Sequence, residues 1–183
     1  MNRRGLVYTE ILCVFVILLV LWLLFVPNYM RATAEAYENT CRNNLREIGG
    51  ALRAYAADYD SAFPAQKVGL DALGTGYVPD PEIFKCAQVQ HDIRLHPEVK
   101  QQVTAQRGAS GRGDYAYRGG FFADDLPLLA IVADSIQCHD DAANVLYLDG
   151  HVRLKRLSEE FPTPAEGLVT GAYDINIKYG GVY

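Results

Sequence analysis

Glu10 is the first residue of this chain whose chemistry demands a partner. It lies in an apolar run from Leu6 to Val26, 21 residues with no other Asp, Glu, Lys or Arg. As a helix rising about 1.5 Å per residue, this run covers a hydrocarbon core of roughly 30 Å. Arg3 and Arg4 precede it, which retains the N-terminus in the cytoplasm and places the remaining chain outside. A carboxylate inside such a span is a functional-site hypothesis by default, and the partner it requires is a cation.

A second group of chemistry-bearing residues lies near the C-terminus: Asp134, His139, Asp140, Asp141 and Asp149. Oxygen-rich ligands would suit calcium if Asp149 returned to the others in space, and histidines with carboxylates would suit zinc. The competing reading is structural. Asp149-Gly150 is a hairpin turn in which Asp149 tolerates left-handed geometry, and His139 hydrogen-bonds the hairpin or the loop before it. We adopt the structural reading and expect no resident metal or cofactor, with a cation near these five residues as the alternative. Catalysis is not expected, because no defined nucleophile, oxyanion-type glycine motif or metallohydrolase spacing accompanies the cluster.

Cysteines 13, 41, 86 and 138 complete the inventory. Cys13 falls in the apolar run and packs there as a small hydrophobe. The outer three lie in an oxidising compartment if the topology above holds, which allows one disulfide and leaves one thiol. Cys41 with Cys86 and Cys86 with Cys138 are both possible on spacing alone.

The elements that position these residues follow from periodicity. Tyr37, Cys41, Leu45, Ile48, Leu52, Tyr55 and Tyr59 recur every three or four residues, so the helix is expected to continue from the membrane through residues 30–60 with one buried face. Asp60 to Pro64 ends it, since a residue before proline disfavours helix. Pro27 predicts a kink or local melting. Gly49-Gly50 is a second weak point and a place for close backbone approach. Residues 65–113 read mostly as loop, with a helical turn at 69–73 and a turn or extended stretch at 77–81; Arg107 and Arg112 belong to that solvated loop. Strands are expected at 115–117, 121–122, 128–132, 144–148 and 151–154, the last two joined by a two-residue turn at Asp149-Gly150, and a final strand in 171–183.

The 17 basic and 22 acidic residues give a formal charge of −5. An acidic outer domain argues against a nucleic-acid partner. The length left beyond the first helix fits one globular head, so the fold class is α+β: a long N-terminal helix, half membrane and half amphipathic, packed on a small antiparallel sheet.

Arg4-Gly5-Leu6, with glutamate at the fifth position after the glycine, resembles a type IV prepilin leader. The resemblance implies cleavage between Gly5 and Leu6 by a prepilin peptidase, methylation of the new amino terminus, and a helix-kinking proline where Pro27 stands. Leu6 replaces the usual phenylalanine. His139, nine residues, then Asp149-Gly150 is similar to the H-X9-DG signature of a large bacterial group of prepilin-like proteins. The same group is resembled by Cys41-Arg-Asn-Asn-Leu-Arg-Glu-Ile-Gly, by Tyr55-Ala-Ala-Asp-Tyr-Asp-Ser-Ala-Phe-Pro and by Ile83-Phe84-Lys85-Cys86, although Ala87 stands where proline is usual. This family match favours Cys41 with Cys86 as the disulfide.

The resemblance implies domains at 1–5 (leader), 6–29 (membrane or filament core), 30–60 (amphipathic helix) and 61–183 (head). It implies a structural subunit of a type IV pilus-like filament and not an enzyme. A free α-ammonium at Leu6 needs a counter-charge in an apolar medium, and Glu10 of a neighbouring subunit would supply it and set axial register. Partners are then further copies of the chain, the prepilin peptidase, the inner-membrane assembly machinery and the membrane. Location is a single inner-membrane pass before assembly and an extracellular or periplasmic filament after it. The alternatives are a pseudopilin of a type II secretion-like system and a membrane-anchored binding module that never polymerises. A signal peptide cut near Ala32-Thr33-Ala34 and an unprocessed anchor are the simpler readings of the segment.

Overall fold

The computed structural model describes residues 3–95, 112–134, 142–156 and Leu168. The architecture is α+β: one long helix, α1 (Arg3–Asp58), and a four-stranded antiparallel sheet of β1 (Tyr115–Tyr117), β2 (Ala130–Asp134), β3 (Ala142–Tyr147) and β4 (Val152–Arg156) in the order β1-β2-β3-β4. The chain divides into two compact units, Met1–Ala36 and Tyr37–Tyr183.

Within the first unit, α1 carries a window apolar enough to cross a membrane, with a mean hydropathy of 2.8 and none of it buried. Its helical assignment continues unbroken through Pro27, so the expected local melting is not seen. Proline removes one N–H and leaves the rest of the ladder in place. Side-chain donors serve nearby carbonyls: Asn28 Nδ2 donates to Leu24 O at 3.0 Å and Thr33 Oγ1 to Tyr29 O at 2.9 Å.

In the second unit the helical stripe packs as its period requires. Cys41, Leu45, Ile48 and Leu52 are fully buried, and Leu45, Ile48, Ala51, Leu52 and Ala56 join Tyr115, Tyr117, Ile131, Val132 and Leu146 of the sheet in the main core. Gly49 allows this approach, since a Cβ there would stand 3.1 Å from Leu146 Cδ1. Tyr59 departs from the expected stripe. It is 52% exposed and stacks on Tyr55 with ring centroids 4.2 Å apart, because α1 has already ended. The stop comes from a left-handed closure rather than from the residue before Pro64: Asp60 has φ 50°, and Ser61 N donates to Ala56 O at 2.9 Å, satisfying a terminal carbonyl.

The stretch expected to be mostly loop is more structured. Gly69–Leu73 and Pro81–Phe84 are 3-10 turns, α2 is a single turn (Gly74–Tyr77), and α3 spans Ala87–Leu95. Asp114 starts α3 from a distance, its Oδ2 accepting Cys86 N at 2.9 Å, a cap that local sequence does not reveal. Arg112 is not a free loop cation. Its guanidinium lies over the Phe84 ring, 4.5 Å from the centroid, with Nε 3.6 Å from Asp71.

The sheet differs from expectation at its margins. β2 begins at Ala130 instead of Leu128, with a register irregularity between Ala130 and Val132. The expected Phe121–Phe122 strand is a single bridge from Phe122 to Ala62. Arg107 and the expected strand in 171–183 lie outside the described residues.

Candidate functional site

Three groups of residues carry the chemistry proposed from sequence, and each can be built from its element. The first is the start of α1. Gly5, Leu6 and Glu10 all belong to the helix, and Glu10 is exposed on it. From Ile11 to Phe25 the large apolar side chains are exposed as well, between 45% and 71%. Glu10 is therefore the carboxylate at the start of the exposed apolar stretch Ile11–Phe25.

The second group is the hairpin turn. Leu146 pairs with Val152, Tyr147 N donates to His151 O at 2.9 Å and Gly150 N to Tyr147 O at 2.8 Å. The connection is thus a three-residue loop, Leu148 to Gly150, and not the two-residue turn expected. Gly150, with φ 90°, takes the left-handed position that had been assigned to Asp149, as in a type I turn closed by a glycine bulge. The Asp149 carboxylate instead accepts His151 N at 3.0 Å and contacts His151 Nδ1. The imidazole lies flat on Tyr147, centroids 4.3 Å apart, and Arg53 of α1 donates to Asp149 O at 3.0 Å. Asp149-Gly150 thus docks a hairpin onto the helix. Sequence reasoning missed His151 and Arg53; Asp-Gly-His is visible as a side chain able to reach across its own turn, whereas nothing local marks Arg53.

Gly150→Ala tests this docking. A Cβ there would stand 2.2 Å from Arg53 Nη1, and the backbone is left-handed. We expect a loss of about 1–3 kcal/mol in denaturant unfolding. An unchanged midpoint would mean that the turn does not hold the helix.

The cation cluster is not assembled by the described residues. β3 separates its two described members: Asn144, near one end, bonds Asp134, whereas Asp149 lies in the loop past the other end. His139, Asp140 and Asp141 lie outside the described residues. Among the described residues no group of three or more His, Cys, Asp or Glu is placed to hold a metal ion. Asp134 is instead a buried acceptor, taking Asn144 N at 2.8 Å and Asn144 Nδ2 at 3.2 Å. Burial pushes its pKa up to about 7, against the pull of both Asn144 donors; the negative charges of Asp114 and Glu38 add to the rise.

The third group is the cysteine pair. Cys41 on α1 and Cys86 at the start of α3 are fully buried with their sulfurs 2.8 Å apart, and Val89 completes their small apolar cluster. Cys138 lies outside the described residues. Beside the pair, Tyr115 is held well above the usual phenol range, first by burial and then by Cys41, Asp134 and Cys86. Asn44 Nδ2 reaches Tyr115 OH at 3.5 Å and Lys85 O at 3.1 Å, tying the helix to the segment that carries Cys86.

No protein-family model, curated protein or solved structure matches the chain.

Proposed function

We propose that this chain is a structural subunit of a type IV pilus-like filament, cut after Gly5 by a prepilin peptidase and polymerised through its N-terminal helix. The observation that carries the reading is the division of labour along α1. Its second half supplies the head with core residues from Cys41 to Ala56, while from Glu10 onward its first half has no buried residue among those described and bears one carboxylate, Glu10. An exposed apolar rod of this length needs lipid or other helices around it. Lipid covers it before assembly, as a single inner-membrane pass, and copies of the same helix cover it afterwards. Glu10 then meets the α-ammonium of a neighbouring Leu6 and fixes the axial step. On this reading the chain is the substrate of an enzyme, the peptidase, and not an enzyme itself. A pseudopilin making a short fibre for secretion would use the same contacts; a long extracellular filament containing the subunit separates the two.

The test is the intact mass and N-terminal sequence of the protein from its native membrane or surface fraction. Methylated Leu6 as the first residue is the expected result. An intact Met1, or a start after Ala34, overturns the reading in favour of a plain anchor or a secreted domain. In a cell that processes the chain, Glu10→Ala should abolish incorporation into filaments while leaving the amount of membrane-inserted subunit unchanged. Filaments of normal abundance would sink the role given to Glu10.

A further inference from the structure

Asp149-Gly150 is the only Asp-Gly in the sequence, and Asn-Gly does not occur in it. Besides making a turn, this pair carries a reaction of its own. Glycine has no Cβ to hinder the approach of its nitrogen to the preceding carboxyl group. In that approach the Gly150 amide gives up its proton, its nitrogen bonds to Asp149 Cγ, and one carboxyl oxygen leaves as water, closing a five-membered succinimide. Water then reopens the ring at either carbonyl. Opening at the main-chain carbonyl yields isoaspartate, in which the chain runs through Cβ and the free carboxyl group sits on Cα. The water lost on closure is regained on opening, and no oxidant or second substrate enters.

The docked hairpin opposes the first step at each reacting group. Gly150 N donates to Tyr147 O at 2.8 Å, which makes its proton harder to lose. Asp149 Oδ1 accepts His151 N at 3.0 Å and contacts His151 Nδ1, so the carboxyl group is held by the residue after the attacking nitrogen. On the main-chain side Arg53 Nη1 of α1 donates to Asp149 O at 3.0 Å, and Tyr147 N donates to His151 O at 2.9 Å. Turning Asp149 for ring closure breaks these bonds together. Asp149 itself is exposed, so water reaches it in the folded head. Protection therefore comes from the bonds, and the helix supplies one of them.

We propose that Asp149 is a self-modification site, converted to isoaspartate when the hairpin leaves α1 and kept as aspartate while Arg53 holds it. Isoaspartate adds one main-chain atom between residues 149 and 150, so the three-residue loop no longer matches the spacing of its own bonds. The change accumulates with each opening and marks heads that have opened. It stands apart from the filament reading, since it involves the head alone.

The test follows isoaspartate in the full-length chain in detergent, at neutral pH and physiological temperature. Peptide mapping and an isoaspartyl methyltransferase read the modification at Asp149, and the thermal midpoint checks folding. Folding should slow conversion by about tenfold or more relative to the same chain unfolded in guanidinium. Arg53→Ala removes the helix's hydrogen bond and should speed conversion in the folded chain by about tenfold. Arg46→Ala, on the same helix but bonded to Asn43, should leave the rate unchanged. In the unsubstituted chain one opening frees both groups, so protection of the Gly150 amide from hydrogen exchange should equal the slowing of conversion within about threefold. A folded chain that isomerises as fast as the unfolded one, or amide protection that departs from the slowing, overturns the proposal whether or not Arg53→Ala folds. An Arg53→Ala chain of normal midpoint and unchanged rate, or equal acceleration by Arg46→Ala, overturns the part given to Arg53.

Discussion

Reducing the purified protein should lower the stability of its head by about 4 kcal/mol. The value follows from the loop that a Cys41–Cys86 bond would close, 45 residues apart in sequence, through the chain-entropy cost of leaving that loop open in the unfolded state. The folded state needs little rearrangement to form the bond, because both sulfurs already meet in one buried cluster. Denaturant unfolding with and without reductant, with intact mass before and after alkylation, measures the effect. Two alkylated thiols at Cys41 and Cys86 in protein isolated without reductant would end the disulfide proposal. Bonding of Cys86 to Cys138 would move the staple off α1.

The second large effect concerns Asp134. Its pKa of about 7 in the folded head compares with 3.8 for the free side chain, a difference of about 4 kcal/mol between its protonation states. The sign is that of a raised acid. Between about pH 4 and 7 the folded state holds a proton that the unfolded state releases, so this residue's contribution to stability falls as pH rises and is fully unfavourable above pH 7. Asp134→Asn keeps an acceptor for the backbone and side-chain donors of Asn144 and removes the charge. The variant should gain up to about 4 kcal/mol at pH 8, nothing near pH 4, and lose the slope between them in urea unfolding. Equal gains at both pH values would show that packing rather than ionisation sets the difference.

The period-3.6 stripe from Cys41 to Leu52 was legible because one helix face meets the sheet and the other meets no described element. The β3–β4 pairing was legible from Asp-Gly between apolar runs. What sequence did not show depends on partners far along the chain. α3 looked like loop because its cap, Asp114, is 28 residues from the Cys86 amide that it receives. The Asp149-Gly150 pair predicts a two-residue turn, whereas in the fold Gly150 alone of the two holds positive φ and Leu148 joins the loop. Tyr59 fits the helical spacing, but the left-handed Asp60 ends the helix before that spacing can bury it. At the site level, Glu10 stood out as a carboxylate in an apolar run, whereas Arg53 and His151 acquire meaning only once the hairpin lies on α1.

The complete burial of Cys41 and Cys86 also constrains the timing of maturation. No oxidant the size of a protein reaches either sulfur once the head has closed, so a disulfide between them would have to form at an earlier moment of folding or in a transient opening. The segment carrying Cys86 is held in place both by Asp114, which accepts Cys86 N, and by Asn44 of α1, which donates to Lys85 O. The same burial would shield such a bond from reduction. A Cys41–Cys86 bond would thus mark those chains in which the helix and the Cys86 segment have already met.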